Sequence, residues 1–343
     1  MPFGFDFFSP SGEHPFTRKP DRRGACIAGL AVVLLVAGLA VVLLVAGLAP
    51  AFGDQATVET VYAKYGDRMP VTNAQGDARG ELAVYKAPAD APRVNCRKLT
   101  GPRGMVALVF GQSNASNTVD PGYGATQAVY AYQGGECLKV RDAIPGASGS
   151  KGSAWGRLGD LLVTSGLYDT VLFVDIARGG SSILNWGSKG SLHALLDGTI
   201  EDMRAHGLAP THVFFHQGEA DCALGLTRSE YQVVLESVLD EVRRLTGPKS
   251  DIFVSRASLF LDPTACRDTR NPVCYKSCPA ITAAQTAVVD PARGIYAGPN
   301  TDLIVPWFDR NDGYHFTAQA ADRFAAAWMP LLAGGEAANQ PLQ

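Results

Sequence analysis

Three short blocks of this 343-residue chain hold residue types that could carry out acyl transfer. In Gly111-Gln112-Ser113-Asn114 a serine follows the apolar run Leu108, Val109 and Phe110. A serine at a sharp strand-to-helix turn projects its hydroxyl into a cleft, where adjoining backbone N–H groups can face a developing oxyanion. Taken alone, the tetrapeptide is also ordinary turn composition. In Asp312-Gly313-Tyr314-His315 the acid and the imidazole stand three residues apart. That spacing lets a carboxylate hold one ring nitrogen and leaves the other free to take a proton. The third block is His216-Gln217-Gly218-Glu219-Ala220-Asp221. Its side-chain amide could donate to an oxyanion, with Gly218 letting the backbone turn beside it. Metal binding by this hexapeptide is disfavoured, because the H-E-x-x-H helical spacing is missing and no second cluster supports it.

Chemistry of this kind needs a scaffold that presents loops at one edge. Apolar runs at 105–110, 171–176, 212–215 and 252–254 read as buried strands. Residues 155–165, 192–206, 228–245 and 317–332 read as the helices between them. Val234, Leu235, Val238, Leu239, Val242 and Leu245 recur at three- and four-residue intervals, giving one apolar helix face. Strands alternating with such helices predict a parallel sheet covered on both sides, the doubly wound α/β architecture, with ligands beyond the carboxyl ends of its strands. All three blocks fall in loops that follow or adjoin these elements.

With 46% hydrophobic and 18% charged residues, the chain can bury a full core. The formal net charge of -3 leaves no basic surplus for phosphates, so nucleic acid is not an expected partner. Arg18, Lys19, Arg22 and Arg23 precede an uncharged stretch centred on AGLAVVLLVAGLAVVLLVAGLA. About 20 apolar residues span the hydrocarbon core of a bilayer, so residues 24–50 are expected to form a single uncleaved anchor. The cationic flank puts residues 1–23 in the cytoplasm and the rest outside. A long secretory signal cut near Ala49-Pro50-Ala51 is the alternative. Residues 51–102, lacking sustained periodicity, read as a stalk or an irregular N-terminal lobe; 103–333 form the main domain and 334–343 a tail. Export would let Cys96, Cys137, Cys222, Cys266, Cys274 and Cys278 oxidise, and a disulfide framework is preferred to a zinc site because no paired C-x-x-C elements or nearby histidines complete a tetrahedral set.

Together the blocks resemble the SGNH-hydrolase superfamily and, within it, the sialate O-acetylesterase and acetylxylan-esterase group, carbohydrate esterase family six. GQSN at 111–114, RGGSSI at 178–183, HQGEAD at 216–221 and DGYH at 312–315 stand in that group's order. The resemblance covers roughly residues 103–333 and implies a flavodoxin-like three-layer α/β/α fold. It also implies hydrolysis of O-acetyl esters of carbohydrate through an acetyl-enzyme, with an acetylated glycan as substrate and neither metal nor cofactor.

Carried over residue by residue, the resemblance makes Ser113 the nucleophile, His315 the general base and Asp312 its orienter, with Glu219 as the rival acid. The implied oxyanion donors are the N–H groups of Ser113 and Gly180 and the amide of Gln217, with a one-residue ambiguity between Gly179 and Gly180. Asn114 and Trp186 stand as candidate substrate contacts, Trp186 being equally suited to core packing or a lid. A lipase or thioesterase on the same fold, and a non-catalytic carbohydrate-binding assembly protein, are the competing readings.

Overall fold

The computed structural model describes residues 56–71, 83–141, 143–262, 274–304 and 309–334. The expected anchor at 24–50 lies outside them. Among the described residues no helix is long and apolar enough to cross a membrane.

The strands are β1 (Arg93–Val94), β2 (Gly104–Gly111), β3 (Val129–Gln133), β4 (Glu136–Lys139), β5 (Thr170–Asp175), β6 (His212–His216), β7 (Asp251–Arg256), β8 (Phe260–Leu261), β9 (Tyr275–Lys276) and β10 (Ile295–Asn300). Eight form one sheet in the order β1-β4-β3-β5-β2-β6-β7-β10, and β8 pairs with β9 separately. From β3 to β10 every neighbour is parallel, while β4 and β1 close one edge antiparallel. The run β5-β2-β6-β7-β10 is the flavodoxin-like order, in which the chain reverses its direction of winding between β2 and β6. In sheets of this order ligands bind at that switch point, beyond the carboxyl ends of the two strands.

The helices are α1 (Val58–Tyr65), α2 (Trp155–Thr164), α3 (Ile183–Trp186), α4 (His193–Ala205), α5 (Glu219–Leu224), α6 (Arg228–Thr246), α7 (Pro279–Ala287) and α8 (Ala318–Leu332). Alternation along β2 distributes them. Val106, Leu108 and Phe110 join one buried cluster with Val61 of α1, Trp186 of α3, Leu196 of α4, Val238 of α6 and Ile281 of α7. Met105, Ala107 and Val109 join another with Trp155 and Leu158 of α2 and Phe324 and Trp328 of α8. Successive strand residues point to opposite faces, so an apolar run of this length must be covered twice. Each fully buried large side chain contributes roughly 1.5–3 kcal/mol.

The longest helix, α6, starts at a Thr227 capping box with Glu230, stops at Gly247, and buries all six residues expected on its apolar face. The described part of 51–102 packs against the sheet and its helices. Val61 and Tyr65 of α1 are buried, the Tyr62 hydroxyl donates to Leu184 O at 2.6 Å, and β1 extends the sheet beside the Cys96–Cys137 disulfide. A second disulfide, Cys222–Cys278, ties α5 to the N-cap of α7. Cys274 is also disulfide-bonded, while Cys266 lies outside the described residues.

Candidate active site

At the end of β2 the backbone of Gly111 has φ 135°, and a Cβ there would lie 2.0 Å from His216 O. Only glycine permits so close an approach of β2 to β6, and the chain turns sharply as it leaves the sheet. Gln112 N donates to His216 O at 3.0 Å, and Ser113 opens a single 3₁₀ turn, Ser113–Ala115. Three donors converge on the Ser113 carbonyl, namely Ser116 N, Ser116 Oγ and Thr118 Oγ1, each at 2.9 Å. The serine backbone is thereby fixed just beyond the carboxyl end of β2, on a residue 6% exposed.

The Ser113 N–H has no acceptor among the described residues, and neither has the Gly180 N–H. Gly179 N instead donates to Ser148 Oγ at 2.8 Å, so of the two glycines Gly180 is the one with an uncommitted donor. Gly180 holds φ 71°, a left-handed conformation that a side chain would disfavour.

The second half of the site is a loop pinned at both ends. Asn311 N donates to His315 O and Thr317 N to Asp309 O, both at 2.9 Å, and Thr317 then caps α8 by accepting from Ala320 N. Within the loop, Asp312 Oδ1 accepts from Tyr314 N at 2.9 Å and His315 N at 2.8 Å, and Oδ2 lies 2.6 Å from His315 Nδ1. Partial burial works to raise the Asp312 pKa. It is outweighed by the bonds from the His315 ring and the two amides, which hold it well below the usual carboxylate range. An ionised carboxylate only accepts, so Nδ1 carries the ring proton and Nε2 is the acceptor of the neutral imidazole.

Asn114 joins the two halves. Its Oδ1 accepts from Phe316 N at 3.2 Å, and its Nδ2 donates to Tyr314 O and to Glu219 Oε1, also at 3.2 Å each. The residue after Ser113 therefore grips both peptide groups that flank His315. Buried Arg310 grips the same loop through Nη1 to Tyr314 O at 2.8 Å and Nη2 to Thr301 O at 3.1 Å. No hydrogen bond joins Ser113 Oγ to His315; such bonds commonly tighten only when substrate binds.

Glu219 makes no contact with the ring. It is buried against Asn114, and burial raises its pKa against the opposing pull of its backbone bond, Arg310 and Asn114. As an oriented partner of His315, Asp312 has the contact and Glu219 does not.

The expected amide donor is committed elsewhere. Gln217 is fully buried, its Nε2 facing Gln112 Oε1 at 3.2 Å, Ser181 O at 3.0 Å and Asp221 Oδ2. Its Oε1 accepts from the Tyr231 hydroxyl at 2.9 Å, and Gln285 Nε2 holds its carbonyl at 2.6 Å. A primary amide has two hydrogens, and three internal acceptors leave none for an oxyanion. Gln217 is thus a strut rather than a donor into the cleft. Asp221 completes the strut by accepting from Ser182 Oγ at 2.6 Å and Ile183 N at 3.0 Å, which fixes the first turn of α3 behind Gly180. Burial raises the Asp221 pKa to about 6 despite these donors.

Two expected substrate contacts are also corrected. Trp186 is 0% exposed, packs edge-on against Phe110 at 5.3 Å and donates its indole N–H to Ser181 Oγ at 3.0 Å, so no sugar can stack on it. Asn114 is buried, with both its side-chain polar atoms bonded inside the protein. The supporting residues Ser148, Tyr231 and Gln285 escape sequence reasoning because each reaches the site from a distant element, and Arg310, within the loop itself, escapes it because its partners are backbone carbonyls. Among the described residues one group, His193, Asp197 and Glu241, has donor atoms within 4.8 Å of one another and could hold a metal. It sits on α4 and α6, not at the strand ends, and Arg244 already bonds both Glu241 oxygens. The same two helices and α1 line a cavity of about 590 Å³ that none of Ser113, Gly180 and His315 borders.

No family model and no curated protein sequence matches the chain. Among solved structures, a protein from Arabidopsis thaliana aligns at TM-score 0.51 and 13% identity, over 68% of this chain and 98% of its own. A carbohydrate acetylesterase from Xanthomonas citri aligns at TM-score 0.42 and 16% identity, over 67% and 57% of the two chains. A lipase/acylhydrolase from Enterococcus faecalis aligns at TM-score 0.40 and 15% identity, over 70% and 99%. At these identities the likeness is one of fold, and it is with the Arabidopsis protein that this chain shares its α/β architecture.

Proposed function

We propose that the chain is a serine esterase of the SGNH type that removes O-acetyl groups from carbohydrate. The observation that carries the reading is the Asp312–His315 pair, bonded at 2.6 Å and clamped through Asn114 to the turn that bears Ser113. Ser113 Oγ attacks the acetyl carbonyl as His315 Nε2 takes its proton, and Asp312 stabilises the imidazolium. The carbonyl oxygen, now carrying the charge, meets the N–H groups of Ser113 and Gly180. Collapse of the tetrahedral intermediate breaks the bond to the sugar oxygen, which leaves with the proton held on Nε2. Water then repeats the sequence on the acetyl-enzyme, releasing acetate and restoring Ser113.

Residues 24–50 are proposed to anchor this domain outside the cytoplasm, where acetylated surface or extracellular glycans lie within reach. The cationic flank at Arg18–Arg23 on one side only supports that orientation, and the disulfides accord with it. The test of the substrate is acetate release by the full chain from a panel of acetylated glycans, beside p-nitrophenyl acetate and p-nitrophenyl octanoate. Release from at least one glycan with preference for the acetyl over the octanoyl ester supports the reading, whereas preference for the long acyl chain makes the enzyme a lipase. A C-terminal reporter active only in the export compartment supports the topology, and one active in the cytoplasm removes it.

A further inference from the structure

Four large apolar side chains are exposed among the described residues, Val94, Leu161, Leu303 and Tyr314, and the last two belong to the stretch that Arg310 ties together around His315. Leu303 is 69% exposed and Tyr314 is 40% exposed. A tyrosine in a loop ordinarily reduces its apolar exposure by lying down on the surface. Tyr314 stays 40% exposed while it is held at several points: its hydroxyl donates to Leu261 O at 3.0 Å, its N–H is held by Asp312, and its carbonyl accepts from both Asn114 and Arg310. Its ring centroid stands 6.3 Å from that of His315. With the hydroxyl bonded, what this exposed residue offers beside the base is ring surface.

The direction of proton transfer says which part of a substrate meets that face. The acyl oxygen must point at the N–H groups of Ser113 and Gly180, while the alcohol oxygen must receive its proton from His315. The body of the leaving alcohol therefore lies on the His315 side, against Tyr314. We propose that the Tyr314 ring is the platform on which the sugar ring of the leaving alcohol stacks, apolar C–H face to aromatic face. This takes over the part that the sequence suggested for Trp186, and it rests on the esterase reading above. An aromatic ring restrained by two torsions gives a large contact area with little entropy loss, which suits a weakly amphipathic partner such as a pyranose.

The test compares an O-acetylated methyl pyranoside with ethyl acetate, which has the same acyl group and no ring, in the full chain, with p-nitrophenyl octanoate as a third substrate that varies the acyl chain. Tyr314→Ala should lower the ratio of their kcat/KM values, pyranoside over ethyl acetate, by about tenfold, mainly through a higher KM for the pyranoside. Tyr314→Phe keeps the ring and should hold the ratio within about threefold of the wild type. An unchanged ratio in Tyr314→Ala overturns the platform. So does an equal loss on both substrates, which would make Tyr314 a support for His315, and so does a loss confined to p-nitrophenyl octanoate, which would put the acyl chain on the ring. If the wild type hydrolyses neither acetyl ester, the esterase reading itself fails and takes the platform with it.

Discussion

Two carboxyl groups compete for the role of orienting His315, and their contacts separate them. Asp312 accepts from the ring and from two amides of its own loop, whereas Glu219 is turned toward Asn114. Asp312→Asn should therefore lower kcat by up to about four decades, because the amide no longer selects the productive tautomer. Glu219→Gln keeps an oxygen for Asn114 and should cost far less. Steady-state kinetics on p-nitrophenyl acetate rank the two, and the opposite ranking would transfer the role to Glu219. The Asp312–His315 contact was legible in the sequence because both partners sit three residues apart on one tight loop. The commitments of Gln217 and Asn114 were not, since their partners arrive from Tyr231, Gln285, Tyr314 and Phe316, and a residue type alone does not say where its hydrogens go.

At the level of elements, the site depends on β2 and β6 approaching closely enough for Gly111 to lie on His216 and for Gln112 to bond the turn after β6. Gln217 and Asp221 then lock α5 to α3, which carries the Gly180 turn. Gln217→Ala should accordingly destabilise the fold by about 2–4 kcal/mol in urea denaturation, the cost of leaving several buried polar groups without partners. A drop of about 10²–10³ in kcat with unchanged stability would instead return Gln217 to the oxyanion hole. The four strands and four helices expected from periodicity all occur, because long apolar runs and the α6 pattern are set by local sequence. Strand β10 was missed because its segment Ile295–Asn300 contains Gly298 and Pro299. Helix α1 was missed because eight residues are too few for periodicity to register, although Thr57 and Thr60 form a capping box.

For the whole molecule, pH acts through acids that the fold buries. Asp175, at the end of β5, is held off by burial to a pKa of about 8, against the weaker pull of the Ala177 amide and the Arg178 charge. Its folded-state pKa lies above the unfolded value, so folding favours the protonated form. That contribution is complete below the ordinary carboxylate pKa and is lost as pH rises through about 8. Asp175→Asn should remove the loss, raising the melting temperature at about pH 9 by about 2 °C or more and changing it little near pH 4. Equal pH profiles for variant and wild type would show that Asp175 ionises without cost. Composition and periodicity made the two-sided sheet legible at this scale. They did not reveal that residues 56–71 and 93–99 pack into it, since that depends on long-range contacts such as Tyr62 with Leu184 and Cys96 with Cys137.

The central claim is that Ser113 is an acyl-accepting nucleophile, and the most direct measurement is hydrolysis of p-nitrophenyl acetate by the full chain and by Ser113→Ala, with circular dichroism to show that both are folded. Among the described residues the serine side chain makes no hydrogen bond, so its loss should leave the fold intact. Turnover should fall by about six decades, as in a triad hydrolase that loses its nucleophile. A folded Ser113→Ala protein that retains activity within about two decades of the wild type would contradict the account.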